Sequence, residues 1–231
     1  MNNIYSILLG GGIGTRMNSD TPKQFMKIKG ESIFRRTVRQ FKDWGLSKSL
    51  VLVVPESHIR ETEEELSDLL EEYDRIVPGG DTRHRSCLEA LKSIPYDGND
   101  IVLIHDVARP FITSGDIEEV VNGTLQFGSA TLVGEIGETL VKAEGEIVSG
   151  IIGRDTAYLV KTPQGVHSSA LQTLIPLEFP EGDPTDLCSW VLSIGMKPVK
   201  KLSNPFNIKI TRREDLDLSE YILPLFEKYN H

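Results

Sequence analysis

Short apolar runs alternate with longer amphipathic stretches through most of the first 136 residues. Ile4–Leu9 is a short apolar run closed by glycine, which predicts a buried strand. Ile33, Phe34, Val38, Phe41 and Trp44 recur at helical spacing behind Ser32, a good N-cap. Leu50–Val54 predicts a second buried strand, stopped by Pro55. The acidic stretch His58–Tyr73 keeps Ile59, Leu66, Leu69, Leu70 and Tyr73 to one side, so it predicts a surface helix. Arg75–Val77 reads as strand, Ser86–Ile94 as helix, Asp100–His105 as strand, Gly115–Phe127 as helix and Ala130–Ile136 as strand.

Alternation of this kind builds right-handed β-α-β units. The expected fold is therefore α/β and Rossmann-like, with a mostly parallel sheet and helices on both faces. Residues 134–153, "GEIGETLVKAEGEIVSGIIG", break the pattern. They have no helical period, and Ala143–Gly145 supplies turn chemistry between two extended pieces. A protruding β-hairpin arm is expected there, on a single domain spanning 1–231. Two-stranded hairpins are marginal alone, so the arm is expected to pack on a second subunit in a homodimer.

Composition narrows the classes. A net charge of -9 argues against a broad nucleic-acid or anionic-membrane surface. Cys87 and Cys188 sit in no metal-type spacing, and the five histidines form no ligand pair. No basic region precedes the first apolar run, which is too short for a leader or a membrane helix. A cytoplasmic protein in a reducing compartment is expected.

Ligands of parallel sheets lie at the carboxyl ends of the strands. Three polar segments follow predicted strands: Gly10–Gly14, Gly79–Asp81 and Asp106–Arg109. In the first, Gly10, Gly11, Gly12 and Gly14 can bring backbone N–H groups to phosphates. Residues 10–30 carry Arg16, Lys23, Lys27 and Lys29 against one acid, Asp20. The spacing fits neither G-x-x-x-x-G-K-[ST] nor G-x-G-x-x-G, and no acid ends the second strand, which disfavours a nicotinamide-dependent oxidoreductase. A bare strand-to-helix turn with incidental lysines is the alternative, and the phosphate-binding reading is favoured over it.

Asp81 and Ser86 can hydrogen-bond the edge of a base, although Ser86 alone reads first as a helix cap. Asp106 ends an apolar strand, where a carboxylate can hold Mg²⁺ on substrate phosphates. Arg109 is close enough to line the same pocket. His105, alone at the end of a buried strand, reads as structural. Thr185-Asp186 opens a helix and reads as its N-cap. Lys209, in "NIKIT", alternates with Ile208 and Ile210, and by itself reads as the solvated face of a strand.

The ordered set G-x-G-x-R-M…P-K-Q, G-G-D-x-R-x-x-S, H-D-x-A-R-P, R-(x)7-T-P-Q, T-D and N-I-K-[IV]-T resembles the cytidylyltransferases that make CDP-linked polyol phosphates, from about residue 4 to residue 216. That family includes the 2-C-methyl-D-erythritol 4-phosphate enzymes of isoprenoid synthesis and the ribitol-5-phosphate enzymes of wall and capsule synthesis. The resemblance implies a nucleotide-diphospho-sugar transferase type of fold, CTP and a polyol phosphate as substrates, and Mg²⁺. It implies that Gly10, Gly11, Gly12 and Gly14 wrap the CTP phosphates and ribose, and that Arg16 and Lys23 stabilise the reacting α-phosphate. Asp81 and Ser86 would then read cytosine, and Asp106 would contact the metal. Arg109, Thr162, Thr185 and Lys209 would form the acceptor pocket, completed by Thr139 and Arg154 from a partner's arm; Arg154 and Lys209 would hold the acceptor phosphate. Arg85 departs from the family pattern, which has an acid there. Ser86 and Ala108-Arg109 favour the methylerythritol enzymes; Gly14–Met17, Phe25, Arg154-Asp155, Cys188 and Phe206 lean to the ribitol side.

Overall fold

Residues along the central strands alternate between two separate cores, and that alternation fixes the layering. The structure is a computed structural model, and it describes residues 2–11 and 22–229. Its central sheet has seven strands: β1 (Ile4–Leu9), β4 (Ser49–Val54), β5 (Arg75–Pro78), β6 (Ile101–Asp106), β7 (Ser129–Gly134), β10 (Leu159–His167) and β11 (Val199–Leu202). They are ordered β11-β7-β10-β6-β1-β4-β5. All neighbours are parallel except β10, which runs antiparallel to both β6 and β7. Two small two-stranded sheets accompany it. One is β2 (Lys27–Ile28) with β3 (Glu31–Ser32), and the other is β8 (Leu140–Glu144) with β9 (Ile147–Ile152).

Leu8, Leu50, Leu52, Val54, Ile101 and Leu103 face one core. That core is closed by α1 (Ile33–Trp44), α2 (Ile59–Leu66), α4 (Ser114–Phe127) and α7 (Arg213–Tyr229). Tyr5, Ile7, Leu9, Val51, Val53, Val102 and Ile104 face the other. The second core is closed by α3 (Arg83–Lys92), α5 (Leu171–Leu174) and α6 (Leu187–Leu192). A strand buried on both sides has this composition because each face needs its own apolar set.

Local chemistry sets the helix ends. Ser32 caps α1, accepting from the Arg35 N–H at 3.0 Å, and Gly45 ends it with φ 73°. Thr113 and Asp116 form a reciprocal capping box on α4. Two helix boundaries differ from expectation. The second stops at Leu66 rather than Tyr73, because Asp74 turns inward: it pairs with Lys42 at 2.6 Å and accepts from the Leu50 N–H. The third begins at Arg83 rather than Ser86, because Thr82 is its cap.

The arm is a hairpin as expected, turning at Gly145 with φ 62°. Val141, Ile147, Val148 and Ile151 on it are exposed. The segment 207–211 is not a strand; one backbone bond, from the Ile210 N–H to the Ala108 carbonyl at 2.8 Å, ties it beside β6.

Candidate functional site

The chain passes from β1 outward to β4 and β5, then returns to the opposite side of β1 as β6. Loops diverge at such a switch point and leave a crevice. Here the loops are also stitched together. The Gly10 N–H donates to the Val53 carbonyl at 2.7 Å, Gly79 to Val54 at 2.8 Å, and Val107 to Leu9 at 3.0 Å. A cavity of about 290 Å³ opens between them, lined by Gly10, Gly11, Lys23, Gly80, Asp81, Ser86, Asp106 and Lys209 among others.

Close packing requires a glycine at position 80. A Cβ on Gly80 would lie 2.6 Å from the Arg85 Cβ. The Ser86 hydroxyl accepts from the Gly80 N–H at 3.1 Å, so Ser86 holds the loop rather than capping α3. Asp81 is exposed on the cavity wall.

Asp106 is the electrostatic centre. Its Oδ1 faces Arg83 Nε at 2.9 Å and Nη2 at 2.8 Å, and its Oδ2 accepts from Lys209 Nζ at 2.6 Å. Burial alone would raise this carboxyl, but the charges and hydrogen bonds of Arg83 and Lys209 outweigh it and hold it well below the usual carboxylate range. Burial works against the Arg83 charge too, and Asp106 reverses that effect and raises it. Lys209 is therefore no bland surface lysine, since the irregular path of 207–211 turns its ammonium onto the acid. Arg83 was not singled out from the sequence. Its local signals are the fixed R of G-G-D-x-R-x-x-S and its place directly after the cap of a helix that follows a glycine pair.

A directed chain of hydrogen bonds fixes Asp106 from beneath. His105 is fully buried, and burial pushes its pKa down to about 3, so the ring is neutral. Its Nε2 lies 3.1 Å from the Arg109 carbonyl, which can only accept, so the proton sits on Nε2. Nδ1 must then accept from the Thr162 hydroxyl at 3.1 Å, and the Thr162 oxygen accepts from the Asp106 N–H at 3.0 Å. The structural reading of His105 holds. Thr162 differs from expectation: its hydroxyl is used on His105 and Asp106 rather than offered to a pocket.

Arg109 also departs from expectation. It is buried, its Nη1 donates to the Asn207 carbonyl at 3.3 Å, and it is not on the cavity wall. Thr185 is exposed, with its hydroxyl 3.4 Å from that of Ser189, and Asp186 rather than Thr185 caps α6. Thr139 and Arg154 are exposed at the base of the arm, away from this cavity, with Arg154 Nη1 donating to the Gly137 carbonyl at 3.0 Å. Gly12, Gly14 and Arg16 lie outside the described residues. Two polar groups without aligned partners among the described residues stand out at the site: both amide atoms of Gln24, which also lines the cavity, and Arg83 Nη2.

Among the described residues, no group of three or more His, Cys, Asp or Glu could hold a metal alone. The Asp106 carboxylate facing the cavity nevertheless suits Mg²⁺, which is typically bound by one or two carboxylates together with substrate phosphates. No described helix is long and apolar enough to cross a membrane.

Residues 4–224 match the family model described as 2-C-methyl-D-erythritol 4-phosphate cytidylyltransferase. The chain is 41% identical to the protein of that name from Leptospira borgpetersenii, over 97% of this chain and 95% of the relative. It is 34% identical to the one from Geobacillus kaustophilus, over 96% and 97%. The solved 4-diphosphocytidyl-2C-methyl-D-erythritol synthase of Anaerococcus prevotii superposes with a TM-score of 0.82 at 22% identity, covering 96% of each chain. The solved 2-C-methyl-D-erythritol 4-phosphate cytidylyltransferase of Thermus thermophilus gives a TM-score of 0.74 at 24% identity, covering 96% of this chain and 99% of that one.

Proposed function

The chain belongs to the 2-C-methyl-D-erythritol 4-phosphate cytidylyltransferase family, and from that premise we propose how its cavity works. The reaction joins CTP and 2-C-methyl-D-erythritol 4-phosphate to give 4-diphosphocytidyl-2-C-methyl-D-erythritol and pyrophosphate, a step of isoprenoid biosynthesis. Nothing in the comparisons favours ribitol phosphate as the acceptor. The observation that carries the site assignment is the Asp106 carboxylate held by Arg83 and Lys209 in the cavity at the strand switch point.

The nucleophile is a phosphate oxygen already ionised near neutral pH, so no general base is needed. Catalysis then rests on positioning and on charge neutralisation. Gly10, Gly11, Gly12 and Gly14 present backbone donors to the triphosphate, and Arg16 and Lys23 stabilise charge on the α-phosphate. Asp81 reads the cytosine edge, in a loop whose shape Ser86 sets. Lys209 and the partner's Arg154 hold the acceptor phosphate, with Thr139 of the partner and Thr185 beside the polyol. Arg109 and Thr162 support this pocket from within the protein. Bound at Asp106, Mg²⁺ would neutralise the triphosphate and favour departure of pyrophosphate.

The homodimer reading is supported by the exposed apolar residues of the arm and by the separation of Thr139 and Arg154 from the cavity of their own chain. The family match over nearly the whole chain supports a single catalytic domain with the arm inserted in it. The two free cysteines support a reducing, cytoplasmic compartment. Pyrophosphate release decides the function. It should be rapid with CTP, Mg²⁺ and methylerythritol phosphate, and slow with ribitol or glycerol phosphate. Equal rates on all three would refute the acceptor assignment. Deleting residues 137–150 should give inactive monomers, and an active monomer would refute the role of the arm.

A further inference from the structure

We infer that Arg83 is a positioning residue for metal-dependent nucleotide binding, locking Asp106 through Oδ1 so that Oδ2 is presented to the cation. The inference rests on the proposed Mg²⁺ role of Asp106. Its basis is the unequal treatment of the two carboxylate oxygens. Oδ1 accepts from Arg83 Nε at 2.9 Å, and Nη2 of the same planar guanidinium lies 2.8 Å from Asp106 Oδ1 as an ion-pair contact outside hydrogen-bond alignment. Arg83 opens α3 directly after the Thr82 cap, and its side chain is three-quarters withdrawn from solvent. That is a rigid anchor. Oδ2 meets a single ammonium on the flexible stem of Lys209, with 37% of that side chain exposed. A lysine of this kind exchanges readily, whereas a planar fork fixes an angle.

The other face of Asp106 is fixed as well, since Thr162 holds its backbone N–H. With the main chain and one oxygen immobilised, the carboxylate cannot rotate to give both oxygens to Lys209. Oδ2 remains the exchangeable oxygen. Outer partners that orient a ligand in this way typically change metal affinity or activity by about 10–100-fold when removed.

The test is calorimetric binding of CTP to the full-length protein without acceptor, once with Mg²⁺ and once with EDTA. The ratio of the two dissociation constants isolates the contribution of the metal. In Arg83→Gln this ratio should fall about 10–100-fold toward one. Arg83→Lys, which keeps the charge but loses the fork, should leave it lowered. If Arg83 only contacted phosphate, both constants would weaken together and the ratio would stay at the wild-type value, which overturns the inference. The same unchanged ratio with a lowered melting temperature would mark a purely structural arginine, and overturns it too. A wild-type ratio of one would instead refute the Mg²⁺ reading itself. If Arg83→Gln fails to fold, Arg83→Lys carries the comparison alone, and a wild-type ratio there overturns the positioning role.

Discussion

Replacing Asp106 by asparagine keeps the shape of the side chain and removes its charge. Three short contacts are weakened: two to Arg83 at 2.9 and 2.8 Å, and one to Lys209 at 2.6 Å. Removing one member of a buried ion pair costs about 3–5 kcal/mol. Here 25% of the Arg83 side chain and 37% of the Lys209 side chain meet solvent. Screening moves the cost toward the exposed-pair range, and about 2 kcal/mol is the expected loss. For a domain of this size, 1 kcal/mol shifts the melting temperature by about 2–4 °C, so Asp106→Asn should melt about 4–8 °C lower.

The pH dependence of this loss has a definite sign. The folded carboxyl lies below its unfolded value of about 3.9. Its stabilisation is therefore complete well above pH 4 and disappears as pH falls through the folded value. Denaturation measured from pH 3 to pH 8 should show a constant gap between wild type and variant above about pH 5, narrowing below pH 4. A gap that is the same at pH 3 and pH 7, or that widens in acid, would refute the assignment. In the same variant, metal-free CTP should bind at least as tightly as to wild type, while CTP with Mg²⁺ binds more weakly.

Other perturbations give separable outcomes. Gln24→Met removes a buried amide with no hydrogen-bond partner among the described residues on either atom, so the melting temperature should rise while CTP-dependent turnover falls; a fall in both would show that the amide is satisfied in solution. Gly80→Ala forces a Cβ to 2.6 Å from the Arg85 Cβ, and relief requires the first turn of α3 to move, so kcat/KM for CTP should drop by about tenfold or more, an overpacking cost of about 1–3 kcal/mol. Burial pushes the Cys87 thiol up to about 12 and raises the half-buried Cys188 as well; native protein at pH 8 should alkylate at Cys188 first, and mass spectrometry showing prior modification of Cys87 would contradict its burial.

What the sequence could predict depended on how far apart the deciding residues lie. Strands β1, β4 and β6 and helices α1 and α4 were legible because their apolar spacing and caps are local. The true end of α2 was not, since it depends on Asp74 reaching Lys42 and the Leu50 backbone. The glycine loops and Asp106 were legible because they follow apolar runs. The contacts of Arg83 and Lys209 with Asp106 were not, because they span 23 and 103 residues; Lys209 itself was marked only through the resemblance. Thr162 shows the opposite failure: a residue marked for the pocket has its hydroxyl turned to His105 and the Asp106 backbone, 57 and 56 residues away.

These long-range contacts explain how a chain of net charge -9 can gather two cations at the proposed triphosphate site. Arg83 and Lys209 lie on opposite sides of one carboxylate, which offsets their mutual repulsion while the cavity is empty. The same carboxylate repels incoming phosphates. On the proposed reading, metal-free nucleotide would compete with Asp106 for the two cations, whereas nucleotide carrying Mg²⁺ would turn that repulsion into attraction at Oδ2. A site made of cations alone would bind any anion of suitable size. With one anchored acid between them, and with Mg²⁺ bound there as proposed, affinity would depend on the metal, and the site would favour a metal-bearing triphosphate over simpler anions.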